Sequence, residues 1–150
     1  MRAVIQRVSS ASVTIDSKVS GEIKQGFMIL LGIEAADTTE DIEWLIGKIA
    51  KMRVFADEND LMNKSLIDIN GQALVVSQFT LHANTKKGNR PSFIRAARPD
   101  QAEPMYQEFM TKLSTLIGSP VESGEFGADM QVSLVNDGPV TIIIDSKNRE

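Results

Sequence analysis

A single α+β domain spanning residues 1–150 is the fold that this sequence predicts, with a mostly antiparallel or mixed β-sheet and two main helices. Three observations predict it. Strand-like runs of β-branched and alternating residues occur at both ends and in the middle of the chain. Two stretches carry apolar residues at helical spacing. No repeat, low-complexity tract or linker divides the 150 residues, a length that suits one hydrophobic core.

The elements follow in order. Ala3 to Ile15 is rich in Val, Ile, Ser and Thr with period-two stretches, and predicts a long strand. Asp16-Ser17-Lys18 is a turn signal, and Lys18 to Ile23 predicts a short second strand. Phe27 to Ile33 is a continuous apolar run, hence a strand buried on both faces. A first helix follows, with Asp37 and Glu40 spaced as a capping pair and Ile42, Leu45, Ile46, Ile49 and Met52 on one face. Asp57-Glu58-Asn59-Asp60 is acidic and turn-like. It lacks the alternating ligands and terminal glutamate of a calcium loop, so a solvated turn is expected.

Gln72 to Leu81 predicts a third clear strand, and His82 to Ile94 a loop with Gly88 and Pro91 as breakers. A second helix is expected from about Asp100, with Pro104 in or near its first turn and Gly118 and Pro120 ending it. Its broad apolar face includes Tyr106, Phe109 and Leu113, which read as core. A short strand near Val121, then Met130 to Val135 and Val140 to Asp145, complete the chain. Between the last two stands Asn136-Asp137-Gly138-Pro139-Val140-Thr141. Proline cannot donate to a ladder and glycine weakens a strand. Gly138-Pro139 is therefore either an ordinary hairpin turn or a projection that aims backbone carbonyls at a ligand. Taken alone, the segment favours the hairpin.

Composition narrows the chemistry. Apolar content of 42% and charged content of 24% are ordinary for a globular protein. With no cysteine there is no disulfide, thiolate metal site or cysteine nucleophile. That fits a reducing compartment. The start of the chain has no long apolar run or small-residue cleavage site, so no signal peptide and a cytoplasmic location are expected. No run approaches the ~18 apolar residues needed to cross a bilayer, so no membrane partner is expected. Net charge is −4. From Ile69 to Pro99, however, there is no acid, and Lys86, Lys87, Arg90, Arg95 and Arg98 give +5. The other 11 basic and 20 acidic residues leave the remainder at −9. Such a basic segment suits a polyanion such as RNA, or is a solvated loop with no specific role.

Acid–base side chains are scarce. His82 is the one histidine. In a strand, Ser77 and His82 point to opposite faces, and no Gly-x-Ser-x-Gly elbow supports a hydrolase triad. At a strand end beside a polar loop, His82 is expected to be exposed. No metal site or cofactor fingerprint is present, so none is expected. An enzyme built this way must rely on backbone dipoles, positioning and groups on the substrate.

Ser77-Gln78-Phe79-Thr80-Leu81 together with Asn136 to Thr141 resembles the two signature motifs of the D-aminoacyl-tRNA deacylase family. Met1 to Val8, Gly88 to Phe93 and Gly124 to Met130 are similar to the same family, so the likeness covers essentially the whole chain. The resemblance implies a barrel-like sheet and a homodimer. It implies hydrolysis of the ester between a D-amino acid, or a mischarged glycine, and the terminal adenosine of tRNA. Gly138-Pro139, joined by a cis bond, would act in the partner's site. There its carbonyls would hold the substrate α-ammonium and leave no room for an L side chain. The catalytic stretch would be Ser77, Gln78, Phe79 and Thr80. Backbone N–H groups near Phe79 and Thr80 would stabilise the oxyanion, with help from the tRNA 2′-hydroxyl. Ser77 and Gln78 would order water or the ribose. Thr80 would support rather than attack. Phe126 and Met130 would flank the adenosine, Arg7 would brace the Gly-Pro turn, and Lys86, Lys87, Arg90, Arg95 and Arg98 would meet tRNA phosphates. Two rival readings are a non-catalytic tRNA- or ribosome-binding module and a small-molecule hydrolase dependent on His82.

Overall fold

The computed structural model describes residues 1–150. Its centre is a set of long antiparallel strands. β1 (Arg2–Ile15) pairs along one edge with β8 (Gln131–Asp145). Its other edge takes β2 (Lys18–Ile23) against Ala11 to Ile15, then β3 (Gly26–Gly32) against Arg2 to Val8. β2 and β3 thus follow one another along the same neighbour. β6 (Gln72–Ser77) joins β3 in parallel, and β7 (Glu122–Ser123) joins β6 in parallel. At the β3–β6 junction a Cβ on Gly26 would sit 1.8 Å from the Gln72 carbonyl oxygen, so only glycine fits there. The sheet curls until β7 reaches β2, where the Ser20 hydroxyl donates to the Ser123 carbonyl at 3.2 Å. The sheet is therefore mixed and nearly closed into a barrel, the α+β class expected.

Two cores result. Met1, with Ala3 and Ile5 of the first part of β1, faces the helices together with Phe27, Ile29 and Val75. Val8, Ala11 and Val13 join Ile23, Met28, Leu74 and Val76 in a second cluster built from strands alone, inside the curl of the sheet. Register shifts around Val8 let β1 change the face it buries.

α1 (Thr39–Lys51) buries Ile42, Leu45, Ile46 and Ile49, as the periodicity predicts. Its cap differs from the expected Asp37–Glu40 pair. Thr38 is the N-cap, and its N–H donates to the Asp41 carboxylate at 2.9 Å. Asp37 is claimed instead by the buried Met1 ammonium and by the Glu34 N–H. α2 (Pro99–Ile117) starts one residue earlier than expected, and Pro104 lies inside the helix, past its first turn. There the missing N–H leaves the Asp100 carbonyl without its helical donor. Gly118 ends the helix in the left-handed conformation, its N–H bonded to the Ser114 carbonyl. The Tyr106 hydroxyl donates to the Val75 carbonyl at 2.8 Å and ties α2 to β6; burial pushes this phenol up to about 12. A small hairpin of β4 (Phe55–Ala56) and β5 (Met62–Lys64) surrounds the acidic turn, where Asp57 accepts from the N–H groups of Asn59 and Leu61.

Three further expectations are corrected. The strand predicted to Leu81 stops at Ser77, and Phe79–His82 is a 3₁₀ turn. His82 is buried, not exposed. Finally, Gly138-Pro139 makes no hairpin: both flanking runs belong to β8 and pair with the same strand, β1. The chain does not reverse because β1 offers partners on both sides of the interruption.

Candidate active site at the end of β6

β6 delivers Ser77 opposite Leu31 of β3, and the Gln78 N–H donates to the Leu31 carbonyl at 2.8 Å. The chain then tightens into the 3₁₀ turn. The N–H groups of Phe79 and Thr80 open that turn, so neither finds an acceptor within it. Beside the Ser77–Phe79 approach to the turn is a mainly apolar cavity of about 620 Å³. Ser77, Gln78 and Phe79 line one side, Phe126 and Met130 a second, and Phe93, Arg98 and Ala102 a third. The Phe79 and Phe93 rings meet edge to face at 5.1 Å, and Phe126 leans on Tyr106 at 5.9 Å. Planar apolar walls with a few polar groups at one end suit a nucleobase and its sugar. Arg98 is also the N-cap of α2, whose N-terminal dipole favours negative charge at this wall.

Six of the expected residues therefore meet in one cavity: Ser77, Gln78, Phe79, Arg98, Phe126 and Met130. Thr80 turns the other way, onto a second hollow that also includes Arg2, Trp44 and Asp145. Its hydroxyl accepts a 2.6 Å hydrogen bond from the Gln78 amide, and no carboxylate or imidazole bonds it. His82 is enclosed beneath the turn with both ring nitrogens unpartnered, its Nδ1 3.9 Å from a Glu34 carboxylate oxygen. A histidine so placed does not reach a substrate, which removes the physical basis for a His82-dependent hydrolase.

Gly138-Pro139 lies elsewhere. β8 takes five residue steps from Asn136 to Thr141 where β1 takes two, from Val8 to Gln6. The surplus chain bulges outward, Gly138 and Pro139 are exposed, and the bond between them is cis. The bulge is held from within. Arg7 Nε donates to the Asp137 carbonyl at 3.1 Å, and Arg7 Nη1 to the Val54 carbonyl at 2.5 Å. The Asn136 side chain accepts from the Val140 N–H and donates to the Thr141 hydroxyl. β1 and β3 separate this bulge from β6, about 14 Å of sheet. Gly138-Pro139 is thus remote from the cavity of its own chain.

The basic segment divides. Lys86, Lys87 and Arg90 are exposed on the loop beyond the Asn84–Ser92 bridge. Arg95 spends its guanidinium on Glu34, at 2.7 and 3.2 Å. The apolar wall residues Phe93, Ala96 and Ala97 carry no periodicity that would have marked them, and Glu34 none that would have marked a partner for Arg95.

The full length of the chain has known counterparts. A family model described as D-Tyr-tRNA(Tyr) deacylase matches residues 4–145. A Flavobacterium johnsoniae protein named D-aminoacyl-tRNA deacylase is 61% identical over 150 residues, covering 100% of both chains. A Bacteroides fragilis protein of the same name is 59% identical with the same coverage. Among solved structures, a c-Myc DNA unwinding element binding protein aligns with a TM-score of 0.92 at 42% identity, over 97% of this chain and 98% of that one. A probable eukaryotic D-amino acid tRNA deacylase shares the fold, with a TM-score of 0.82 at 18% identity over 95% and 97% of the two chains. A match of this length and identity, on a chain whose two motifs end β6 and interrupt β8, places the protein in the D-Tyr-tRNA(Tyr) deacylase family.

Proposed function

We propose that this chain is a D-aminoacyl-tRNA deacylase that removes D-amino acids, and glycine charged on a non-cognate tRNA, as a cytoplasmic homodimer. Water adds to the ester carbonyl, the bond to the terminal ribose breaks, and free D-amino acid and tRNA leave. The terminal adenosine lies between Phe126, Met130 and the Phe79 wall. Ser77 and Gln78 order water or the ribose. The N–H groups of Phe79 and Thr80 receive the developing oxyanion, a role that needs fixed dipoles rather than a titrating side chain. The tRNA 2′-hydroxyl helps to organise the water. Thr80 supports Gln78.

The observation that carries the reading is the projection of Gly138-Pro139, braced by Arg7 and held away from its own chain's cavity. That a braced pair is exposed and remote from its own cavity supports a role in the site of a second subunit. Its carbonyls are acceptors suited to an α-ammonium. Once ammonium, carbonyl carbon and Cα are held, the two enantiomers differ only in side-chain direction, and backbone at that position excludes the L form. Lys86, Lys87, Arg90 and Arg98, all exposed, would meet tRNA phosphates and make binding sensitive to salt.

The test is a mixture of D-Tyr-tRNA and L-Tyr-tRNA incubated with the protein. The D ester disappears faster than the L ester. Equal rates, or tRNA binding with no turnover, would overturn the reading; the second result would favour an RNA-binding module.

A further inference from the structure

Glu34 stands just behind the cavity, next in the chain to Ile33, which lines it. It follows β3, whose end contributes Leu31 to the cavity, with Ile33 just beyond. Its carboxylate is nearly fully buried, and Arg95 donates to one oxygen from both Nε and Nη2. A buried carboxylate of this kind is tolerable only while paired. The backbone repeats the link: Glu34 bridges Ala96, the Ala35 N–H donates to the Arg95 carbonyl at 3.3 Å, and the Ala97 N–H to the Ile33 carbonyl at 2.9 Å. Phe93, Ala96 and Ala97 are the wall facing Phe79. The same carboxylate oxygen lies 3.9 Å from Nδ1 of His82, the last residue of the turn that presents Phe79 and Thr80.

We propose that Glu34 and Arg95 are positioning residues for deacylation, setting the gap between the Phe79 turn and the Phe93–Ala97 wall. Arg95 then serves the reaction through Glu34 and not through a tRNA phosphate, unlike Lys86, Lys87 and Arg90. The inference rests on the deacylase reading for its kinetic arm only. Glu34 touches no reacting atom. Its part is to keep the adenosine slot at one width, so that the ester carbonyl arrives at the N–H pair in register.

The experiment compares Glu34→Gln, Arg95→Gln, Arg95→Lys and the Glu34→Gln/Arg95→Gln double variant. Turnover of D-Tyr-tRNA, amide hydrogen exchange at Ala35 and Ala97, and the salt dependence of tRNA binding are measured for each. Each Gln variant loses about tenfold in kcat, with KM changed much less. The double variant is no worse than either single, because one contact is lost in all three. Exchange at Ala35 and Ala97 accelerates, the salt slope stays at its wild-type value, and Arg95→Lys recovers part of the rate. Penalties that add in the double variant would overturn the proposal. So would unchanged exchange, or an Arg95→Gln salt slope reduced by about 0.7 to 0.9, the signature of one lost phosphate contact. If wild-type protein spares D-Tyr-tRNA, the deacylase reading fails instead, and the exchange arm alone still decides whether Glu34 and Arg95 fix the wall.

Discussion

The Gln78 amide donates to the Thr80 hydroxyl, and no base stands next to that hydroxyl. A threonine without a base is a poor nucleophile. Thr80→Ala should therefore retain measurable turnover in a single-turnover assay, reduced about tenfold through loss of the Gln78 contact. Complete loss with normal tRNA binding would restore a nucleophilic role. His82 gives the opposite kind of prediction. Both of its ring nitrogens are buried without partners. Replacing it with an apolar side chain removes that unmet demand, so His82→Leu should raise unfolding free energy by about 1 kcal/mol in urea titrations. A large loss would mean that the imidazole has a polar partner in solution. At this scale the sequence displayed residue types but not their surroundings. The lone histidine was visible at once, whereas its burial depends on the turn at Phe79, which the apolar and polar alternation of Gln72 to Leu81 had hidden inside a longer strand.

Among the elements, β8 carries the projecting Gly138-Pro139 on which the proposed mechanism turns. Gly138 has φ near +120°, and a Cβ there would fall 2.8 Å from Arg7 Nη2 and 3.0 Å from a Val140 methyl. Gly138→Ala should cost on the order of 1–3 kcal/mol locally and remove D-ester turnover while the circular dichroism spectrum stays native. Arg7→Ala frees the Asp137 carbonyl from its brace. Losing a hydrogen bond to a charged group is worth about 1.5–3 kcal/mol, so kcat/KM for D-Tyr-tRNA should fall by about 10- to 100-fold. An unaffected rate would show that the bulge holds its shape without Arg7. The end of the chain clamps α1 in a different way. Burial acts to raise the Asp41 carboxyl, but hydrogen bonds from Lys147, Ser146 and the Thr38 N–H outweigh it and hold the group well below the usual carboxylate range. A carboxyl lowered on folding adds stability above its unfolded pKa of about 4 and loses that contribution as pH falls further. Lys147→Ala should be less stable than wild type at neutral pH, with a shallower decline below about pH 4, in urea unfolding across pH. Parallel curves for the two proteins would rule out this linkage.

For the whole molecule the decisive question is which chain Gly138-Pro139 serves. The bulge on β8 and the Ser77 to Phe79 wall that ends β6 are separated by two other strands, so each chain is incomplete alone under the proposed mechanism. Mixing two dead variants tests this. A Gly138→Ala subunit and a Gln78→Ala subunit would form hybrids with one intact composite site, and random exchange should recover about a quarter of wild-type sites. No recovery after subunit exchange would mean that each chain works with its own glycine and proline. The charge layout belongs to this scale too. The basic loop of Lys86, Lys87 and Arg90 stands on an otherwise acidic chain, so phosphate contact would be confined to one flank of the cavity.

The sequence by itself determined the two helices and the main strand-forming runs, the apolar face of each helix and the scarcity of acid–base groups. Those properties are local, set by side-chain period over a few residues and by composition. It also carried the family likeness in Ser77 to Leu81 and Asn136 to Thr141. Only the tertiary structure decided that Asn136 to Thr141 bulges from one strand instead of turning between two, because β1 supplies partners on both sides of it. Only the tertiary structure took Asp37 from the helix cap for the buried ammonium, and paired the guanidinium of Arg95 with the buried Glu34. In each case a partner distant in sequence outbid the nearest one, since burial makes an unpaired charge or backbone group more costly than a broken local pattern.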